Sequence, residues 1–286
     1  MKLSMNNRVE QIADTLVRAG STFRDDQKRA YIRSIDRERN KQSKWVLGQV
    51  LENAKIAEKR LCPLCDDTGI PHVYLEIGSN RSIDGDLMKD IREGIRLGLT
   101  KLPGRPMAIR GDDYARLDQS GGLSENPADL QPAPILLSEN PNPEEIKLTI
   151  LMLGGGPAIR GITQRIFHRH DVNVVIDEIV ERAKTAVTQL GCSPCTLAIG
   201  IGRSQFEATA LMMDAMAHGN YDYQSEFEQT ITDRVNTFNI GALGLGGDTS
   251  VIATFAKVGP QRASGVRIVA LRPCCCFEPR RASLIL

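Results

Sequence analysis

The chain has 286 residues, enough for one large domain or two modest ones with a sizeable apolar core. Its 36 Lys and Arg against 35 Asp and Glu leave a formal charge of +1, spread without a basic block, which argues against nucleic acid as the main partner. No apolar run approaches the roughly 20 residues of a membrane span, and MKLSMNNRVEQIADTLVRAG lacks the apolar segment and cleavage site of a signal peptide. A cytoplasmic chain without a membrane partner is therefore expected.

In chain order, the first 60 residues read as helices. One starts near Arg8 with Ile12, Leu16 and Val17 on one face. A second is signalled by Ser21 or Thr22 followed by Asp25 and Asp26, and would carry Ala30, Ile32 and Ile35 inward. A third, KWVLGQVLENAKIAEKR, places Trp45, Val46, Val50, Leu51, Ala54 and Ala57 at helical spacing and ends in Lys and Arg, as a helix C-terminus prefers. IPHVYLEIG has the content of a strand, and residues 84–102 return to helical spacing through Leu87, Ile91, Ile95 and Leu99 until Pro103 and Gly104 stop them. Residues 104–134, rich in Gly, Pro and polar side chains, read as a long functional excursion.

A strand follows at 146–153 and runs into Gly154, Gly155 and Gly156; a helix at 172–190; and a short buried strand, TLAIGIG. Two helices at 203–218 and 223–237, a Gly-rich turn, and strands at 249–257, 265–271 and 282–286 complete the chain. Helices and strands mix without regular βαβ alternation. The expectation is an irregular α/β, or α+β, fold in one domain over 1–286, with a helical N-terminal portion (1–60) packed on a mixed sheet with flanking helices.

The seven cysteines fall in three groups: Cys62 and Cys65, Cys192 and Cys195, then Cys274, Cys275 and Cys276. An odd number in tight groups, without a secretory signal, points to reduced thiols for metal binding or catalysis. Soft thiolates drawn from three distant places suit an iron–sulfur cluster with one iron left open. Two C-x-x-C pairs also fit structural zinc, and some of these cysteines fit the core as small hydrophobes. A thioredoxin-like pair lacks its strand-to-helix context.

Around these cysteines, LENAKIAEKRLCPLCDDTG, LGGGPAIRG, GCSPCTLAIGIGRSQFEATALM, NIGALGLGGDTS and PCCCFEPRRASLIL resemble, in this order, the α-subunit or catalytic α-domain of the class I iron–sulfur hydro-lyases, fumarate hydratase and L(+)-tartrate dehydratase. The resemblance implies a [4Fe–4S] cluster held by Cys65, Cys192 and Cys276, with Cys274 and Cys275 as competitors for the third place. It places Asp67, after the first ligand, beside the substrate as an acid/base group, and Arg105 on a substrate carboxylate, with Arg110 as a nearby competitor. Gly155 and Gly156 follow a strand, where bare backbone can turn N–H groups toward a substrate carboxylate.

The substrate class would be a 2-hydroxy dicarboxylate such as malate or tartrate. The chain ends soon after the third cysteine group, so a separate β-subunit in a hetero-oligomer or dimer is expected. Where the family has a catalytic histidine, about a dozen residues before the third cysteine, this chain has Gln261, Arg262, Ala263 and Ser264. His72 is expected to be structural, and His168 and His170 to be solvated in a turn. The alternative is a non-catalytic zinc- or cluster-binding scaffold, marked by the lost histidine and by Cys62 and Cys195.

Overall fold

The computed structural model describes residues 5–286; the first four, part of the stretch read above for a signal peptide, lie outside the described residues. The fold is α+β, and its strands form two separate four-stranded mixed sheets. The chain divides into two compact units, one formed by residues 5–22, Ile56–Gly154 and Arg280–Leu286, the other by Phe23–Lys55 and Gly155–Pro279.

In the first unit, helices α1 (Met5–Ser21) and α4 (Gly85–Lys101) pack on a sheet of β1 (Ile70–Ile77), β2 (Leu136–Glu139), β3 (Ile146–Leu153) and β8 (Arg280–Ile285), ordered β2-β1-β3-β8. Strand β1 runs parallel to β2 and antiparallel to β3, which is antiparallel to β8. The helical spacing explains the packing. Ile12 and Leu16 of α1 and Ile91, Ile95 and Leu99 of α4 form one buried cluster with Leu75, Leu148 and Ile150 of the sheet. Asp84 caps α4 by accepting from the Leu87 amide. The 104–134 excursion is mostly irregular, with a short helix α5 (Asp113–Asp118) and a 3-10 turn at Pro127–Asp129.

The second unit contains α2 (Asp25–Arg37), most of α3 (Lys41–Arg60), the single turn α6 (Gly155–Ala158), and α7 (Val172–Leu190), α8 (Gln205–His218) and α9 (Glu226–Asn236). Its sheet is ordered β4 (Ile162–Phe167), β7 (Val266–Cys274), β5 (Cys195–Gly202), β6 (Val251–Val258). Strand β5 is buried along its whole length because it pairs on both sides, parallel to β6 and antiparallel to β7, while α7 supplies Ile179, Ala183 and Val187 to the same core. Ser204 caps α8, and Ser225 with Glu228 forms a capping box on α9.

Several local expectations shift. Helix α2 turns Gln27, Ala30, Tyr31 and Ser34 inward and leaves Ile32 exposed; Ser21 does not cap it, because its hydroxyl donates back to the Val17 carbonyl. Trp45 is exposed, although the rest of its predicted stripe is buried. Strands β2 and β4 escape the sequence reading because they are short edge strands with little buried surface, so the alternation that signals a half-buried strand is missing. No described helix is long and apolar enough to cross a membrane.

Candidate active site

The first cysteine group follows the C-terminus of α3. Leu61 adopts a left-handed conformation, the Cys62 amide bonds the Ala57 carbonyl, and Leu64 is buried with its amide on the Gly20 carbonyl. This anchoring throws residues 65–69 into a tight turn, closed by the Thr68 amide on the Asp66 carbonyl, with Gly69 at φ +90°. A side chain at Gly69 would be strained, and its Cβ would lie 2.7 Å from Arg280 Nη2 and 2.9 Å from the Leu153 nitrogen.

In this turn Cys65 is half-buried and its thiol faces Asp66 Oδ1 at 3.4 Å. That thiol, then the Asp67 amide, and beyond them the charge of Arg105, hold the exposed Asp66 carboxyl below the usual carboxylate range. Arg105 Nη1 stands 3.8 Å from Asp66 Oδ2 with its side chain still more than half exposed. Arg110 makes no ion pair among the described residues, and its amide donates to the Gly122 carbonyl. Asp67 is half-buried, and its main-chain carbonyl accepts from Arg280 Nη1 at 2.7 Å. Thr68 is 3% exposed, and its hydroxyl finds no partner among the described residues. His72 bonds the nearby Ile70 carbonyl through Nδ1, in keeping with a structural role.

The other two groups belong to the second unit. Helix α7 ends at Leu190, Gly191 reverses the chain at φ +77°, and Cys192 follows, exposed. Its carbonyl accepts the Cys276 amide at 3.0 Å, so two cysteines remote in sequence sit main chain to main chain. Cys276 is held further by the hydroxyl of fully buried Tyr31, which donates to its carbonyl at 2.5 Å. Ser193 fixes the Cys192 side of the pair: its hydroxyl donates to the Gly241 carbonyl at 2.6 Å and its own carbonyl accepts the Leu243 amide.

The neighbouring cysteines have other surroundings. Cys195 begins β5 inside the apolar core, and burial pushes its thiol far above the usual range. Cys274, also fully buried, lies 3.6 Å from the Met216 sulfur and is pushed up in the same way. Cys275 belongs to the same core cluster as Cys195. Low-dielectric surroundings disfavour the thiolate of Cys195 and Cys274 in the metal-free chain. No disulfide forms among the seven cysteines, and among the described residues no group of three His, Cys, Asp or Glu side chains is placed to hold a single metal ion.

Gly155 and Gly156 open α6 directly after β3, and a Cβ at Gly156 would meet nothing within 4 Å. The predicted residues divide between the units: Cys65, Asp67 and Arg105 belong to the first, and Cys192, Cys276, Gly155 and Gly156 to the second.

The histidine expectation needs correction. His168 is buried rather than solvated: Nε2 donates to the Ser264 carbonyl at 2.8 Å while Nδ1 accepts the His170 amide at 2.9 Å. Loop closure buries it, a long-range effect that the polar FHRHD sequence does not reveal; His170 is exposed as expected. Ser264, the last of the four residues in the stretch where the resemblance expects a histidine, precedes β7 whereas Cys276 follows it. At about 3.3 Å per residue, that nine-residue strand separates the two by roughly 30 Å within the unit.

Sequence reasoning overlooked Tyr31 and Arg280. Neither carries a local signal, since each is defined by a main-chain carbonyl distant in sequence.

Comparison with known proteins identifies relatives along nearly the whole chain. The pattern of the fumarate hydratase (Fumerase) family matches residues 9–284. A Methanocaldococcus jannaschii protein provisionally named L(+)-tartrate dehydratase subunit alpha is 26% identical over 267 residues, covering 90% of each chain. The L(+)-tartrate dehydratase subunit alpha of Escherichia coli K12 is 21% identical over 290 residues, covering 99% of this chain and 92% of its own.

Proposed function

From the premise that this chain belongs to the fumarate hydratase (Fumerase) family and is a hydro-lyase, we propose that it is the α-subunit of a [4Fe–4S] enzyme that removes water from a 2-hydroxy dicarboxylate. Cys65, Cys192 and Cys276 would hold the cluster. The observation that carries this reading is the main-chain bond joining Cys192 to Cys276, two thiol-bearing residues remote in sequence. The donor set fits the group: thiols are soft ligands, none is committed to a disulfide, and Cys192 and Cys65 are both open to solvent at least in part.

A cluster bound there supplies an iron with an open coordination place, a Lewis acid that makes a hydroxyl a better leaving group. The protein's own groups do the rest. Arg105 offers a bidentate fork to one substrate carboxylate, and the bare main chain at Gly155 and Gly156 accommodates the other. Asp67 takes the proton from the carbon next to the one bearing the hydroxyl. The Thr68 hydroxyl, buried under the same turn, is a further polar contact for a ligand. The names of the relatives support a separate β-subunit as the partner that completes the enzyme.

The test is anaerobic purification with that partner, analysis for iron and acid-labile sulfide, and dehydration assays with malate and tartrate stereoisomers. Iron and sulfide with dehydration of one of these acids is the expected result. Stoichiometric zinc without sulfide, in a colourless protein with no dehydratase activity, would overturn the reading in favour of a scaffold.

A further inference from the structure

Arg280 is among the largest fully buried side chains of the protein, at 1% exposure. A buried guanidinium is costly unless its N–H groups are satisfied. Here the acceptors are main-chain carbonyls on two elements: Nε donates to Met152 at 3.0 Å and Nη1 to Asp67 at 2.7 Å. The β-ladder explains the reach. Arg280 opens β8 opposite Met152 of β3, and Met152 lies opposite Pro71 of β1, which begins just after the 65–69 turn. β8 stands two strands from β1 and that turn, and the Arg280 side chain crosses β3, bonding Met152 on the way and the Asp67 carbonyl at its far end. Gly69 leaves the space through which the guanidinium passes.

We propose that Arg280 is a positioning residue, one that fixes the Asp67 main chain from inside and so sets where the Asp67 carboxylate is presented. The inference rests on the reading of Asp67 as the proton-handling group. The geometry asks for arginine, because a single ammonium lacks the rigid fork that meets both carbonyls at once. Arg280 does not touch the substrate; it acts through the carbonyl of the residue that does. Displacing a catalytic carboxylate by about 1 Å costs on the order of 100-fold in rate, while binding through Arg105 and the glycine backbone is retained.

The test compares the wild-type chain with Arg280→Met and Arg280→Lys, each purified anaerobically with the partner subunit. Arg280→Met is expected to lose about 100-fold in kcat with KM little changed and iron and sulfide retained, and Arg280→Lys to recover part of that loss. A second readout needs no activity: hydrogen exchange in the metal-free full chain. Amides at 66–69 should exchange about tenfold faster or more in Arg280→Met, with those of the β1–β3 ladder unchanged.

A rise in KM at constant kcat would overturn the proposal by making Arg280 a substrate contact. So would unchanged kcat and unchanged exchange at the turn, or a uniform loss of protection and of iron in both variants, which marks a merely structural residue. If the wild-type protein dehydrates nothing, the hydro-lyase reading fails separately, and exchange at the turn alone then decides whether Arg280 holds it.

Discussion

Replacing Glu38 with glutamine should loosen the loop that holds the Cys192 segment. Glu38, just after α2, is 3% exposed, and its carboxylate accepts three backbone N–H groups: Asn40 at 2.9 Å, Asp248 at 3.0 Å to each oxygen, and Thr249 at 3.0 Å. These bonds close the end of the Gly-rich loop whose other end, at Gly241, receives the Ser193 hydroxyl beside Cys192. A glutamine keeps one acceptor oxygen but turns an NH2 toward at least one N–H. Losing charge assistance and leaving a buried donor without an acceptor costs about 2–4 kcal/mol. At about 2–4 °C per kcal/mol for a domain of this size, the melting temperature should drop by about 5–15 °C. The assay is thermal unfolding of the metal-free chain by circular dichroism, with hydrogen exchange read at Thr249 and with exposed Glu52→Gln as a control. If Glu38→Gln melts with the wild type and keeps its Thr249 amide protected, the carboxylate is not the loop's anchor and the reasoning is wrong.

Other substitutions separate packing from ligand chemistry. Cys195→Ser puts a hydroxyl in the apolar core and should cost about 1–3 kcal/mol while leaving bound iron unchanged, in contrast to Cys192→Ser, which should abolish it; iron lost from both would return Cys195 to the ligand set. Tyr31→Phe leaves the Cys276 carbonyl without its donor and should cost about 1–2 kcal/mol in urea unfolding. Burial holds the Tyr31 and Tyr221 phenols above their usual value near 10, so the folded state keeps protons that the unfolded chain gives up. That stability is fully present below about pH 10 and lost as pH rises beyond it; melting scans should show this fall, and Tyr31→Phe should flatten it. At the acid end, the Arg39 guanidinium holds Asp248 down to about 2, so its contribution is present above the ordinary carboxylate range and lost as pH falls through about 2. Because the pair is largely exposed, the effect should be small and should shrink in salt; an acid limb identical in Arg39→Ala would show that the pair contributes nothing.

The sequence was most informative where physics is local. The apolar spacing of residues 84–102 predicts α4 because a 3.6-residue period must bury Leu87, Ile91, Ile95 and Leu99 on one side, and the structure buries all four. The run TLAIGIG predicts a strand covered on both faces, as β5 is. The ordered segments around the cysteines carry the family, because a motif preserves the residue types that its chemistry needs.

Tertiary structure decided the matters that depend on partners remote in sequence. Whether a cysteine is a ligand candidate or a core hydrophobe depends on what packs over it: Cys192 and Cys195 share one C-x-x-C pair, yet one is exposed on a loop and the other is enclosed in the sheet. The pairing of Cys276 with Cys192, the burial of His168 against Ser264, and the reach of Arg280 to Asp67 are hydrogen bonds between segments that meet only when the chain folds. Periodicity reports the face that a residue takes on its own element. It carries no information about which main-chain carbonyl another element will bring opposite that face, and it is there that burial gives a hydrogen bond its value.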